Sequence, residues 1–158
     1  MLIFIPGLFG KQEMRGSVVK YLIDASSFFK LLLSPTIDGQ NLLENSSITD
    51  LTIFEIGNVL WKRKDSSIKE MPVERVMALS KVIGNITRDV TVFPITAAEI
   101  PDILTIAINM KTTFYDASYI YMCHREKISL ISEDVDLRKK AAKEKVSAFA
   151  LVELFPNK

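Results

Sequence analysis

Four carboxylates in this chain stand where an apolar stretch would rather have none: Asp24, Glu55, Asp116 and Asp134. In TTFYDASYIYMC, residues 112–123, Asp116 shares a helical face with Tyr119, Ile120 and Cys123, the least polar stripe of the segment. Asp24 ends the run VVKYLI, Glu55 lies between Phe54 and Ile56, and ISLIS closes on Glu133, Asp134 and Asp136. A buried carboxylate costs several kcal/mol unless a partner or metal compensates it. Carboxylates crowded together repel, and some take up protons unless a cation neutralises them. Hard oxygen donors without thiol or imidazole suit Mg²⁺ or Mn²⁺ rather than zinc. A pair of such ions can activate water and stabilise both the attacking and the leaving oxygen of a phosphodiester. The chemistry expected of these acids is therefore to hold metal, with water as the nucleophile.

Each acid also has a purely structural alternative. Asp24 and Asp134 follow strand-like runs, where Asp often caps the next helix. Thr52-x-x-Glu55 matches a capping box, although Asp50 is an equally good cap and would leave Glu55 beyond the first turn. Thr113-x-x-Asp116 is the same pattern with a shorter acid, which reaches back less well. Singly these alternatives are adequate; jointly they require a separate reason for each acid.

The surrounding elements must bring the acids together. Val18–Ile23 is a short, β-branched run that predicts a buried strand, and ASSFFKLLL predicts a helix after it. Asp24 then lies at the carboxyl end of a strand, where open α/β sheets bind ligands. SPTIDGQN reads as a loop. DLTIFEIGNVLWKRK reads as an amphipathic helix capped by Asp50, with Leu51, Ile56, Val59 and Leu60 as apolar contacts. A helix over 73–86, a strand in DVTVFPI and a helix over 96–110 follow, Pro101 being tolerable near a helix start. The 112–123 stretch is the next helix. ISLIS is a strand, 137–145 a basic helix and VSAFALV a last strand. Strands alternating with helices predict a parallel sheet covered on both faces.

At 158 residues, 48% hydrophobic and 25% charged, the chain fits one globular domain with its own core. A net charge of +1 gives no compositional reason to expect nucleic acid, so any such case rests on local charge placement. The lone Cys123 excludes a disulfide framework and suits a reducing cytosol, and the lone His124 excludes a multi-histidine metal site. No apolar run reaches the ~20 residues of a bilayer span. The opening MLIFIPGLFG lacks the basic region and cleavage site of a secretory signal. Residues 1–17 read as an N-terminal extension before a domain over 18–155, either a tail or a stretch upstream of a start at Met14. A hydrophobic arm against a partner is the alternative.

In order, YLIDASSF, FEIGNVLWK, TTFYDASYI and LISEDVDL resemble the blocks of PIN-domain ribonucleases, most closely the VapC-type toxins of toxin–antitoxin pairs. The resemblance implies a three-layer α/β/α sandwich with a central parallel sheet. It also implies a Mg²⁺- or Mn²⁺-dependent endoribonuclease, cytoplasmic and homodimeric, silenced by a cognate antitoxin and without a membrane partner. Asp24, Glu55, Asp116 and Asp134 match the family's acidic site. Asp134 is preferred to Glu133 because Asp134-x-x-Leu137 fits the pattern, and Asp136 is kept beside Asp24, Asp116 and Asp134 as a secondary metal ligand. Ser26 and Ser132 match hydroxyl positions beside that site. Lys62, in the basic end of its helix, and Arg138, in the basic helix over 137–145, could hold RNA phosphates, a solvated helix face being the alternative. Trp61, Tyr119 and Tyr121 could stack bases or pack in the core or a dimer interface. A catalytically silent PIN-like module that binds RNA or protein is the rival function. A phosphoacceptor domain fits less well, since it would want paired acids ending its first strand and Asp24 is followed by Ala25 and Ser26.

Overall fold

Tyr21–Ile23 form β1, the middle strand of a five-stranded sheet ordered β3-β2-β1-β4-β5. The others are β2 (Ser46–Thr49), β3 (Thr91–Phe93), β4 (Ser129–Ile131) and β5 (Ala148–Phe149), and every pairing is parallel. The structure, a computed structural model, describes residues 20–33, 36–64 and 71–155. The N-terminal extension, and Val18 and Val19 of the expected first strand, lie outside those residues. The helices are α1 (Ala25–Leu33), α2 (Ile37–Glu44), α3 (Asp50–Lys64), α4 (Val73–Thr87), α5 (Ile100–Met110), α6 (Phe114–Glu126), α7 (Val135–Lys143) and α8 (Leu151–Leu154), with a short 3₁₀ turn before α5.

The strands alternate at period two between two apolar layers. Ile23, Ile48 and Ile131 face one side, where they pack with Phe28 and Leu32 of α1, Ile56 and Leu60 of α3 and Ile83 of α4. Leu22 and Leu130 face the other, against Ile120 and Met122 of α6 and Leu137 and Ala141 of α7. Helix α5 joins this second layer by packing Ile103 and Ala107 on Ala117 of α6. This is the three-layer sandwich with a central parallel sheet that the alternation of strands and helices predicts.

Two expectations are corrected. The stretch read as a loop holds most of α2, which begins where Thr36 accepts a hydrogen bond from the Gly39 amide at 3.0 Å. The strand β2 that follows was not anticipated, because Ser-Ser-Ile-Thr lacks the apolar run of a central strand. All four of its residues are buried nonetheless. Burial is tolerable because each hydroxyl finds a partner: Ser46 donates to the Leu42 carbonyl at 2.7 Å, Ser47 to the Tyr21 carbonyl at 3.0 Å, and Thr49 pairs with Thr52 at 3.1 Å. At the other end, only Ala148–Phe149 of VSAFALV pairs as strand. The Ala150 amide turns to the Glu153 carboxylate at 2.5 Å and α8 begins.

The cap of α3 also differs from expectation. Thr49 accepts from the Thr52 amide at 3.2 Å, whereas Asp50 accepts from the Leu51 amide and reaches across to the Ile95 amide at 3.2 Å. Asp50 thus ties the start of α3 to the segment after β3.

Leu130 is fully buried on a strand with neighbours on both sides. Leu130→Ala is expected to cost about 2–5 kcal/mol, read as a lower urea midpoint. Phe54→Ser, at a side chain 76% exposed, should change stability by no more than about 0.5 kcal/mol.

Candidate active site

Parallel strands end at one common edge, and the register Ile23↔Ile131 sets Asp24 and Ser132 side by side just beyond it. From β1 the chain runs outward through β2 to β3 and then crosses back to β4 on the other side of β1, so the strand order reverses here, where ligand crevices form. Asp24 is only 5% exposed. Its carboxylate accepts from the Ser26 hydroxyl at 2.9 and 3.0 Å, from the Ser27 amide at 2.8 Å and from the Ser132 hydroxyl at 2.6 Å. Asp24 therefore does cap α1, and the same hydrogen bonds hold it at the crevice. All these donors are neutral, so they fix the carboxylate without cancelling its charge.

Glu55 comes from the second turn of α3, clear of the cap. Its Oε2 accepts from the Tyr119 hydroxyl at 2.6 Å, so the capping-box alternative is not what this side chain does. Tyr119 in turn meets the Thr52 hydroxyl at 3.0 Å, and Thr52 meets Thr49, giving a chain of hydroxyls from the end of β2 to the acid. Burial pushes the Glu55 carboxyl above its ordinary range; the Tyr119 bond opposes this, and the charges of Asp24 and Asp116 add to it. Burial likewise pushes the Tyr119 phenol up, with Glu55 adding to the effect, so it stays a hydroxyl donor.

Asp116 is placed by the turn between α5 and α6. Lys111 closes α5 with a left-handed backbone (φ 50°), and the Thr112 amide returns to the Ala107 carbonyl at 3.0 Å. The Thr112 hydroxyl then donates to Asp116 Oδ2 at 2.8 Å, while Thr113 caps α6 by accepting from the Asp116 amide at 3.1 Å. Below Asp116 the expected stripe of Tyr119, Ile120 and Cys123 is buried.

Glu55 of α3 thus lies within electrostatic reach of both Asp24, just past β1, and Asp116 of α6. The acids after β4 are arranged differently. Asp134 is exposed at the rim and caps α7, its Oδ1 accepting from the Asp136 and Leu137 amides at 2.8 and 3.1 Å. Its own amide donates to Ser132 at 3.0 Å, which links it to the Asp24 cluster through one hydroxyl. Asp136 is exposed and paired with Lys140 at 2.6 Å, which holds its carboxyl below the usual range. Glu133 turns away to Lys30 at 2.5 Å and the Leu151 amide at 2.9 Å.

Among the described residues, no ion pair engages Asp24, Glu55, Asp116 or Asp134. Nor do any three His, Cys, Asp or Glu side chains there already stand as a ready-made metal cage. The donor set fits a hard divalent cation in its chemistry, being oxygen-only, crowded and without a paired cation. Closing it around an ion takes a drawing-in of side chains now leaning on neutral hydroxyls.

Of the expected substrate contacts, Ser26 and Ser132 point their hydroxyls at Asp24. Arg138 donates to the Ser132 carbonyl at 2.5 Å, beside the site. Lys62 lies in solvent two turns along α3 from Glu55. Trp61 is exposed rather than in the core, Tyr121 packs near Ile103, His124 is exposed and Cys123 buried. Sequence reasoning passed over Thr112, counted Lys140 only among basic residues that could hold RNA phosphates, and did not assign Tyr119 to the acids. Tyr119 had a usable signal, its i+3 spacing from Asp116, but nothing local shows that it meets an acid from α3.

The chain belongs to the PIN-domain family, whose model matches residues 21–143. Within that family it is of the VapC type. It is similar to exonuclease VapC9 of Pyrobaculum aerophilum, 30% identical over 127 residues that cover 77% of this chain and 86% of that protein. It is also similar to the crystal structure of PAE2754 from Pyrobaculum aerophilum, with a TM-score of 0.73 and 27% identity, covering 88% of this chain and 96% of that one.

A carboxyl raised by folding binds its proton more tightly in the native than in the unfolded state. Stability is therefore lost as pH rises from the ordinary glutamate range through the raised value. Without metal, Glu55→Gln should remove that loss: the variant and wild type melt together near about pH 4, and the variant melts higher near about pH 7. Scanning calorimetry in chelator reads the difference, and identical melting at both pH values contradicts it.

Proposed function

We propose that this VapC-type PIN protein is a Mg²⁺- or Mn²⁺-dependent endoribonuclease. The observation that carries the reading is the convergence of Asp24, Glu55 and Asp116 at one sheet edge with no cationic side chain paired to them. Asp24, Asp116 and Asp134 would hold the metal, with Asp136 further along the rim. When bound, the ion supplies the positive charge that polarises water and the scissile phosphate. The protein's own part is positional. Ser26, Ser27 and Ser132 fix Asp24, and Thr112 fixes Asp116. Glu55, half-buried and with raised proton affinity, is suited to accept a proton from the attacking water. Arg138 and Lys62 flank the site as phosphate contacts.

The similar VapC9 protein is called an exonuclease; internal cleavage is the reading proposed for this chain, and a circular RNA separates the two. A cognate antitoxin and a second copy are the proposed partners. The exposed stripe Ile100, Leu104 and Ile108 on α5, and Ile53, Phe54 and Trp61 on α3, supply apolar surface for them. No helix among the described residues is long and apolar enough to cross a membrane, in keeping with a cytoplasmic location. The absence of a preformed cage among the described residues favours a second reading, a silent module that binds RNA or protein. Mn²⁺ titration followed by melting temperature distinguishes the two, since a silent module is not stabilised.

Asp24→Asn and Asp116→Asn should each lower RNA cleavage by at least about 100-fold, the upper end for loss of a supporting partner of a metal site. Their circular dichroism should match wild type. Nicking of a circular RNA by wild type supports the endonuclease reading; a circle left intact while linear RNA is degraded refutes it.

A further inference from the structure

Lys140 is the cationic side chain that reaches into the acid group. It lies on α7 between Lys139, which is exposed, and the buried Ala141, and its side chain is only 18% exposed. The ammonium donates to Asp136 Oδ2 at 2.6 Å and to Thr112 Oγ1 at 3.0 Å. The Thr112 hydroxyl in turn donates a hydrogen bond to Asp116 Oδ2 at 2.8 Å. The charge of Asp134 acts on it as well. One ammonium thus serves three carboxylates: Asp136 directly, Asp116 through a hydroxyl, and Asp134 through the field. Asp24 and Glu55 have no such partner among the ion pairs of the described residues.

An ordinary surface pair at i and i+4 on a helix explains Asp136 with Lys140. It does not explain why the ammonium is drawn under cover to bond a hydroxyl from the α5–α6 turn, whose proton is committed to a candidate metal ligand. Two-metal phosphodiesterases hold their ions about 4 Å apart between shared carboxylates. Beside Asp136 and the Thr112–Asp116 pair, that neighbourhood already holds a fixed positive charge. A second dication there would face the ammonium at close range.

We infer that Lys140 is a built-in cation that takes the place of a second metal ion, so that the site accepts a single divalent ion. The inference rests on the metal-dependent reading above and adds to it the stoichiometry and the residue that sets it. Lys140 is a positioning residue for Asp116 in this scheme, not a ligand.

Mn²⁺ titration of the full chain, by calorimetry and by the electron paramagnetic resonance of free Mn²⁺, counts the ions without reference to activity. Wild type is expected to bind one per chain, Lys140→Arg one, and Lys140→Met two. Lys140→Gln carries the same expectation as Lys140→Met should the latter fold poorly. Two ions on wild type, or one on both neutral variants, overturn the inference while leaving a metal-dependent nuclease in place. No ion on wild type removes both readings together.

Discussion

The contact on which the site depends is the 2.6 Å hydrogen bond from Ser132 to Asp24. It joins the ends of β1 and β4 at the point where the chain's path across the sheet reverses, and it does so with a neutral donor. A cationic donor in its place would cancel the negative charge. Serine hydroxyls and one backbone amide secure Asp24 geometrically and leave its charge available. The consequence is a native state that carries electrostatic strain: Glu55 feels both Asp24 and Asp116, and its proton is harder to remove than usual.

Hydroxyl groups do the equivalent work at the other acids. Glu55 leans on Tyr119, which leans on Thr52 and Thr49; Asp116 leans on Thr112. The serines and threonines of β2 make the same kind of contact with backbone carbonyls, which allows a polar strand to lie next to the centre of the sheet. Hydroxyls suit this site because they hydrogen-bond an anion without neutralising it. The positive charges of the region have partners other than Asp24 and Glu55. Lys140 sits against Asp136 and Thr112, Arg138 against the Ser132 carbonyl, and Lys30 against Glu133.

Membership in the PIN family and similarity to VapC9 agree with this architecture. The sheet order, the three layers and the position of the acids at the carboxyl edge follow from packing rules that hold for parallel sheets in general. The acids are supported by the Tyr119 bond to Glu55 and the Lys140–Thr112–Asp116 connection.

The parts of the structure legible in the amino-acid order are those governed by short-range periodicity. Apolar runs ending in Asp24 and after Ile131, the amphipathic 50–64 helix and the buried stripe below Asp116 all follow from patterns a few residues long. So does the three-layer class, since alternation of strand and helix leaves few ways to bury both faces of a sheet. β2 and α2 were not legible, because Ser46, Ser47 and Thr49 become acceptable strand residues only when specific carbonyls and Thr52 arrive to satisfy them. The partners of the acids were equally hidden. Asp136 and Glu133 look equivalent to Asp134 along the chain, yet Lys140, Lys30 and the α7 amides sort them into different roles. Sequence order determines which groups are available and on which faces they lie. Distances across more than one element are decided by the packing of those elements, and on such distances charge compensation depends.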